Sequence, residues 1–84
     1  MKTVEELETI STREELVQFL KQLSADYINN RKSWENDTLP SFLSALAGWV
    51  EDMDGFYLNR GLPVPTAPEW KTFAYMLMGA RCYE

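Results

Sequence analysis

The stretch Leu39-Pro40-Ser41-Phe42-Leu43-Ser44-Ala45-Leu46-Ala47-Gly48-Trp49-Val50-Glu51-Asp52-Met53-Asp54-Gly55-Phe56-Tyr57-Leu58 decides the fold. At about 100° per residue, Leu39, Phe42, Leu46, Trp49, Val50, Met53 and Tyr57 share one broad apolar arc. The segment therefore reads as an amphipathic helix over about residues 39–58. Pro40 suits its first turn, where a missing N–H has no partner to lose, and Gly55 weakens its last turn.

Working upstream, Thr3 with Glu6 and Ser11 with Glu14 have the spacing of capping boxes. From the second, Leu16, Phe19, Leu20, Leu23 and Tyr27 recur on one stripe opposite Gln18, Lys21, Gln22 and Ala25. This predicts a helix from residue 12 to about 29, with residues 1–10 a loosely attached turn or short extra helix. Downstream, Asn59 to Pro68 is the longest connection, with Gly61 suited to a left-handed cap and Pro63, Pro65 and Pro68 stiffening the path. Thr66 and Glu69 repeat the capping spacing, and Trp70, Phe73, Ala74, Leu77 and Met78 open a third helix over about 67–83.

The expected fold is all-α: a small three-helix domain over residues 11–84. The third helix also carries Tyr75, Met76 and Ala80, so it is apolar around most of its circumference. Such a helix is either central or covered by a partner. Gly48 and Gly79 each cost about 1 kcal/mol relative to alanine inside a helix, which predicts another backbone close by at one or both.

Eighty-four residues make one domain, and 45% hydrophobic with 13% aromatic content places it among globular rather than disordered chains. Cys82 is the single cysteine, so no internal disulfide forms. The N-terminal residues lack the apolar stretch of a signal peptide, and no apolar run approaches the ~20 residues of a membrane span. These features predict a cytosolic protein, neither secreted nor inserted. A net charge of −5 with scattered bases argues against direct nucleic-acid binding.

Between Lys32 and Arg60 there is no basic residue, while Glu35, Asp37, Glu51, Asp52 and Asp54 equal the whole net charge. On the polar side of the second helix, Ser41, Ser44, Gly48 and Gly55 lie within about 60° of one another, with Glu51 and Asp52 at the borders. Small residues permit close approach, and carboxylates receive arginine or lysine through charge-assisted hydrogen bonds. The expected partner-binding set is Trp34, Glu35, Asp37, Ser41, Ser44, Gly48, Glu51, Asp52, Asp54 and Tyr57, with Trp34 and Tyr57 as rim anchors for a basic protein. The competing readings are a solvated helix face, or Gly48 packed against the first helix. Trp49 belongs to the core. Arg81 falls on the apolar face of the third helix, and the favoured reading is a stem that covers the core while its head snorkels, over a buried pair with an acid.

No catalytic, cofactor or metal residue is assigned. Histidine is absent, which removes the commonest general base and transition-metal ligand. Glu51 and Asp52 diverge on their helix, and Cys82 near a helix C-terminus gains no thiolate stabilisation. Asp52-Met53-Asp54-Gly55 matches part of a calcium loop, but Val50 and Gly61 occupy the positions of two required oxygen ligands.

From about Ser11 to Glu84 the chain resembles a family of short, acidic bacterial proteins with a domain of unknown function. The resemblance runs through Trp34-Glu35-Asn36, Leu39, Phe42-Leu43, Ala45, Trp49, Asp52, Gly55, Tyr57 and Asn59. It continues through Pro65, Pro68, Trp70, Ala74, Leu77 and Tyr83-Glu84. It implies a small helical domain and transfers no catalytic residue. In size and charge the chain is also similar to immunity proteins of bacterial toxin–immunity systems. The functional expectation is an immunity-type protein that occludes a basic toxin, such as a nuclease. The alternative is a cytosolic adaptor, or a homodimer formed through the apolar surplus of the third helix.

Overall fold

A computed structural model describes residues 3–83. The elements are α1 (Val4–Leu7), α2 (Arg13–Asn29), a 3₁₀ turn (Arg31–Ser33), α3 (Leu39–Asn59) and α4 (Trp70–Ala80), with no strand among the described residues. The domain is all-α. α4 is the hub: α1, α2 and α3 all pack against it, while the backbones of α2 and α3 stay apart. α3 and α4 are antiparallel, with Trp49 over Gly79 at one level and Phe56 against Tyr75 at another. α2 runs parallel to α4, since Leu20 shares a depression with Leu77 and Asp26 pairs with Arg81 at the far end.

The helix boundaries show which local signals were used. α2 is capped by Thr12, whose hydroxyl accepts the Glu15 N–H at 3.1 Å, and Ser11 instead gives its N–H and hydroxyl to the same Glu15 carboxylate. The cap is thus one residue later than the Ser11–Glu14 reading, and the reciprocal bond to Glu15 comes from the Ser11 N–H and not from the N-cap residue. α3 starts as expected behind Thr38 and ends in a Schellman cap. There Gly61 has φ +68°, Leu62 N–H reaches Tyr57 O at 2.9 Å and Gly61 N–H reaches Leu58 O at 3.2 Å.

α4 is shorter than predicted at both ends. Pro68 disfavours a helical conformation at Ala67, so the Thr66–Glu69 box is not formed and the helix starts behind Glu69, whose N–H goes to the Thr72 hydroxyl at 3.0 Å. At the other end, the Asn36 side-chain amide donates to Ala80 O at 3.0 Å and Tyr83 O at 2.8 Å, and its backbone N–H donates to Arg81 O at 2.8 Å. Those carbonyls are captured by a distant segment instead of continuing the helix.

The N-terminal segment is not loosely attached, which corrects the sequence expectation. Leu7 and Ile10 are fully in the core, each contributing roughly 1.5–3 kcal/mol by burial. Arg60 clasps the segment from outside, 3.0 Å from Glu5 and 3.8 Å from Glu8. The glycine expectation is corrected as well, because the close neighbours are aromatic side chains, not backbones. A Cβ at Gly79 would overlap the Trp49 indole, and one at Gly48 would press on the Tyr83 ring.

Candidate functional site

The structure divides the predicted binding residues. Trp34 is buried, edge-on to Tyr27 at 5.1 Å and stacked on Phe42 at 5.8 Å, so it fills the gap that α2 and α3 leave at one end. Tyr57 is only 4% exposed, within an aromatic cluster with Phe56 and Tyr75. Neither is a rim anchor. Ser41 is engaged in a reciprocal cap with Thr38. Gly48 lies under the Tyr83 ring, and the Tyr83 hydroxyl donates a short hydrogen bond to Asp52. The C-terminal segment therefore covers one side of the strip proposed from sequence. Asp37 pairs with Arg31 at 3.5 Å, and its backbone carbonyl accepts the Tyr27 hydroxyl at 2.6 Å. Glu35, Ser44, Glu51 and Asp54 remain exposed, without a hydrogen bond or ion pair among the described residues.

Sequence reasoning missed Asp26. Its carboxylate accepts from Trp34 Nε1 at 2.8 Å, from Arg81 Nη1 at 3.1 Å and from Asn30 Nδ2 at 3.1 Å. The Trp34 hydrogen bond, joined by those from Asn30 and Arg81 and by the Arg81 charge, outweighs burial and holds its pKa below the ordinary 3.8. Arg81 also lies over the Trp34 ring at 5.8 Å. The expected snorkelling is thus corrected to a largely buried pair that ties α2 to the end of α4. The only local signal for Asp26 was its spacing from Asn30; its other two partners are eight and 55 residues away.

Because the backbones of α2 and α3 stay apart, the α4 surface at Leu77 lies open between them. At the Trp34 end this leaves an apolar depression of about 440 Å³, walled by Leu20, Tyr27, Leu39 and Phe42 over Leu77. Further along α4 a second depression of about 260 Å³ lies between α3, the Pro65–Pro68 connection and α4, bordered by Val50, Met53, Phe73 and Met76. Leu39 is 70% exposed, Leu43 52% and Leu20 40%. Asp54 on α3 and Arg13 and Lys21 on α2 are exposed, while Glu51 lies within electrostatic reach of the Tyr83 hydroxyl.

A different kind of cavity, about 580 Å³, lies between the end of α3, the Leu62–Ala67 connection and α4. Tyr57 and Tyr75 help line it, and both hydroxyls are buried without a hydrogen-bond partner. An unmet buried hydroxyl costs about 1–3 kcal/mol. Burial, then the charge of Glu8, push the Tyr75 phenol up to about 12. The Tyr57 pKa is also raised by burial, and the nearby Thr72 hydroxyl only partly counters this.

Among the described residues, no three Cys, Asp or Glu side chains gather as a metal site, and no helix is long and apolar enough to cross a membrane. No curated protein and no solved structure matches the chain. One family profile does, over residues 12–84, the same span that contains Asp26, Trp34, Asn36 and Arg81. With α2, α3, α4 and the ties between them all inside that match, the chain belongs to the family of unknown function DUF7660.

Proposed function

We propose that the domain is a non-catalytic protein-binding module that receives an amphipathic helix of a partner in the trough between α2 and α3. The observation that carries the reading is the apolar depression over Leu77 of α4, left between two helices that pack on α4 while their own backbones stay apart. A helix laid in such a groove buries its apolar stripe against Leu20, Leu39, Phe42 and Leu77, a recurrent mode of peptide recognition. Charge complementarity gives that helix a basic edge toward Asp54 on the α3 side, and an acidic edge toward Arg13 and Lys21 on the α2 side. In its narrower form the partner is a basic bacterial toxin, such as a nuclease, neutralised by occlusion. The net charge of −5 and the free carboxylates of Glu35, Glu51 and Asp54 support this narrower form through electrostatic steering.

The test is a photo-crosslinking side chain at Leu43 in the native host, followed by binding of the crosslinked helix, as a synthetic peptide, to the purified domain. Leu20→Lys and Leu39→Glu should each weaken that peptide by about tenfold or more while the fold is retained. Glu51→Lys with Asp54→Lys should slow association at low salt. Unchanged affinity in both trough variants would refute the groove. A mass that doubles with concentration and reverts in Leu20→Lys would assign the trough to a second copy of the chain instead.

A further inference from the structure

We propose that the surface around Trp70, at the opposite end of α4 from the Trp34 depression, docks a second copy of the chain. Val17 on α2, Val50 on α3, and Trp70 and Phe73 on α4 are each 38–39% exposed. They belong to one patch: Ile10 and Ser11 at the start of α2 meet Trp70 and Phe73, and Val50 and Met53 of α3 meet Phe73 from the other side. Single half-exposed apolar side chains are ordinary on a protein surface, but four on three adjoining helices mark an interface.

The charges around the patch say what covers it. Arg13 lies one turn before Val17, and Asp54 one turn after Val50. Because α2 runs parallel to α4 and α3 antiparallel, both steps lead toward Trp70 and set an arginine and an aspartate level on opposite shoulders. Both are exposed, and neither side chain has a hydrogen bond or ion pair among the described residues. A two-fold axis running along α4 over the patch exchanges the shoulders, so that Arg13 of each copy faces Asp54 of the other and two ion pairs form at once. The same exchange matches shapes. Trp70 stands toward the start of α2, beside Ile10 and Ser11, whereas the 260 Å³ depression at Val50, Met53 and Met76 stands toward α3. Each Trp70 thereby meets the depression of the other copy. A patch with complementary halves fits a copy of itself, which is the condition for an isologous interface.

The contact stops short of Leu77. There the depressions of about 440 Å³ on the two copies would face each other and enclose a void, and Lys21 finds no acid on α3 before Glu51. The inference does not depend on a helix filling the trough. Arg13 and Asp54 serve both contacts, however, so a partner helix that reaches them displaces the second copy.

Sedimentation equilibrium of the full chain tests the proposal. The mass should rise from monomer to dimer with a midpoint on the order of 10–100 μM, the weak range that suits a small patch. Arg13→Glu and Asp54→Arg should each weaken association about tenfold or more, by setting like charges opposite each other. An equimolar mixture of the two variants should recover it, since both contacts of the mixed dimer again join opposite charges. Leu20→Lys and Leu39→Glu, which border the depression over Leu77, should leave the dimer intact. A chain that stays monomeric at about 1 mM overturns the proposal, as does a mixture that recovers nothing. Reversion to monomer in Leu20→Lys overturns it as well, and moves the contact to the depression over Leu77.

Discussion

Gly79, in the last turn of α4, and Gly55, in the C-terminal part of α3, have surroundings that make opposite demands on a methyl group. The Trp49 indole lies against Gly79, while a Cβ at Gly55 would meet nothing within 4 Å. Gly79→Ala should therefore destabilise the domain by about 1–3 kcal/mol through overpacking, and Gly55→Ala should stabilise it by about 0.5–1 kcal/mol. Urea unfolding of the two variants checks both signs. Asp26 is the other residue whose environment decides its effect. Its folded pKa is depressed, so its contribution is complete above its ordinary pKa of 3.8 and is lost as pH falls through the lower folded value. Asp26→Asn should cost on the order of 2 kcal/mol at neutral pH, because Arg81 loses its counter-charge while still mostly covered. The variant should also show a flatter stability profile in acid denaturation.

At the scale of elements, caps and prolines were legible because they act within a turn of themselves. Thr38, Pro40 and Gly61 mark the ends of α3 much as read, and Pro68 moves the start of α4 by a rule that is equally local. The standing of α1 was not legible. A four-residue helix has no stability of its own, and the burial of Leu7 and Ile10 depends on a surface of α4 that lies far along the chain. Leu7→Ala should cost about 3 kcal/mol, a core-sized loss. Unfolding followed by tryptophan fluorescence measures it, and a loss below about 0.5 kcal/mol would return the segment to the status of an appendage.

For the molecule as a whole, the central position of α4 was one of two readings of its all-round apolarity, and the structure selects it. The predicted binding set fared unevenly for a reason common to its failures. Trp34, Gly48, Asp52 and Tyr57 are taken up by Asp26, Tyr83 and the Phe56–Tyr75 cluster, partners at separations no helical wheel represents. The open trough has a corresponding consequence for stability. Leu39→Glu should leave the folding free energy within about 0.5 kcal/mol, since Leu39 is 70% exposed and an acid in the first turn suits the helix dipole. Thermal and urea unfolding of this variant separate a binding surface from a structural one.

Helical class, approximate boundaries, the base-free acidic interval and the absence of histidine were all present in local order and composition. Each depends on spacing within a few residues or on simple counts. Which helix is central, which tryptophan is buried, how Arg81 is paired and where a trough and a cavity open were decided only by the tertiary arrangement. Those features arise from surfaces meeting across tens of residues, where shape and exclusion of water govern the outcome and the periodicity of one segment carries no record of its neighbour.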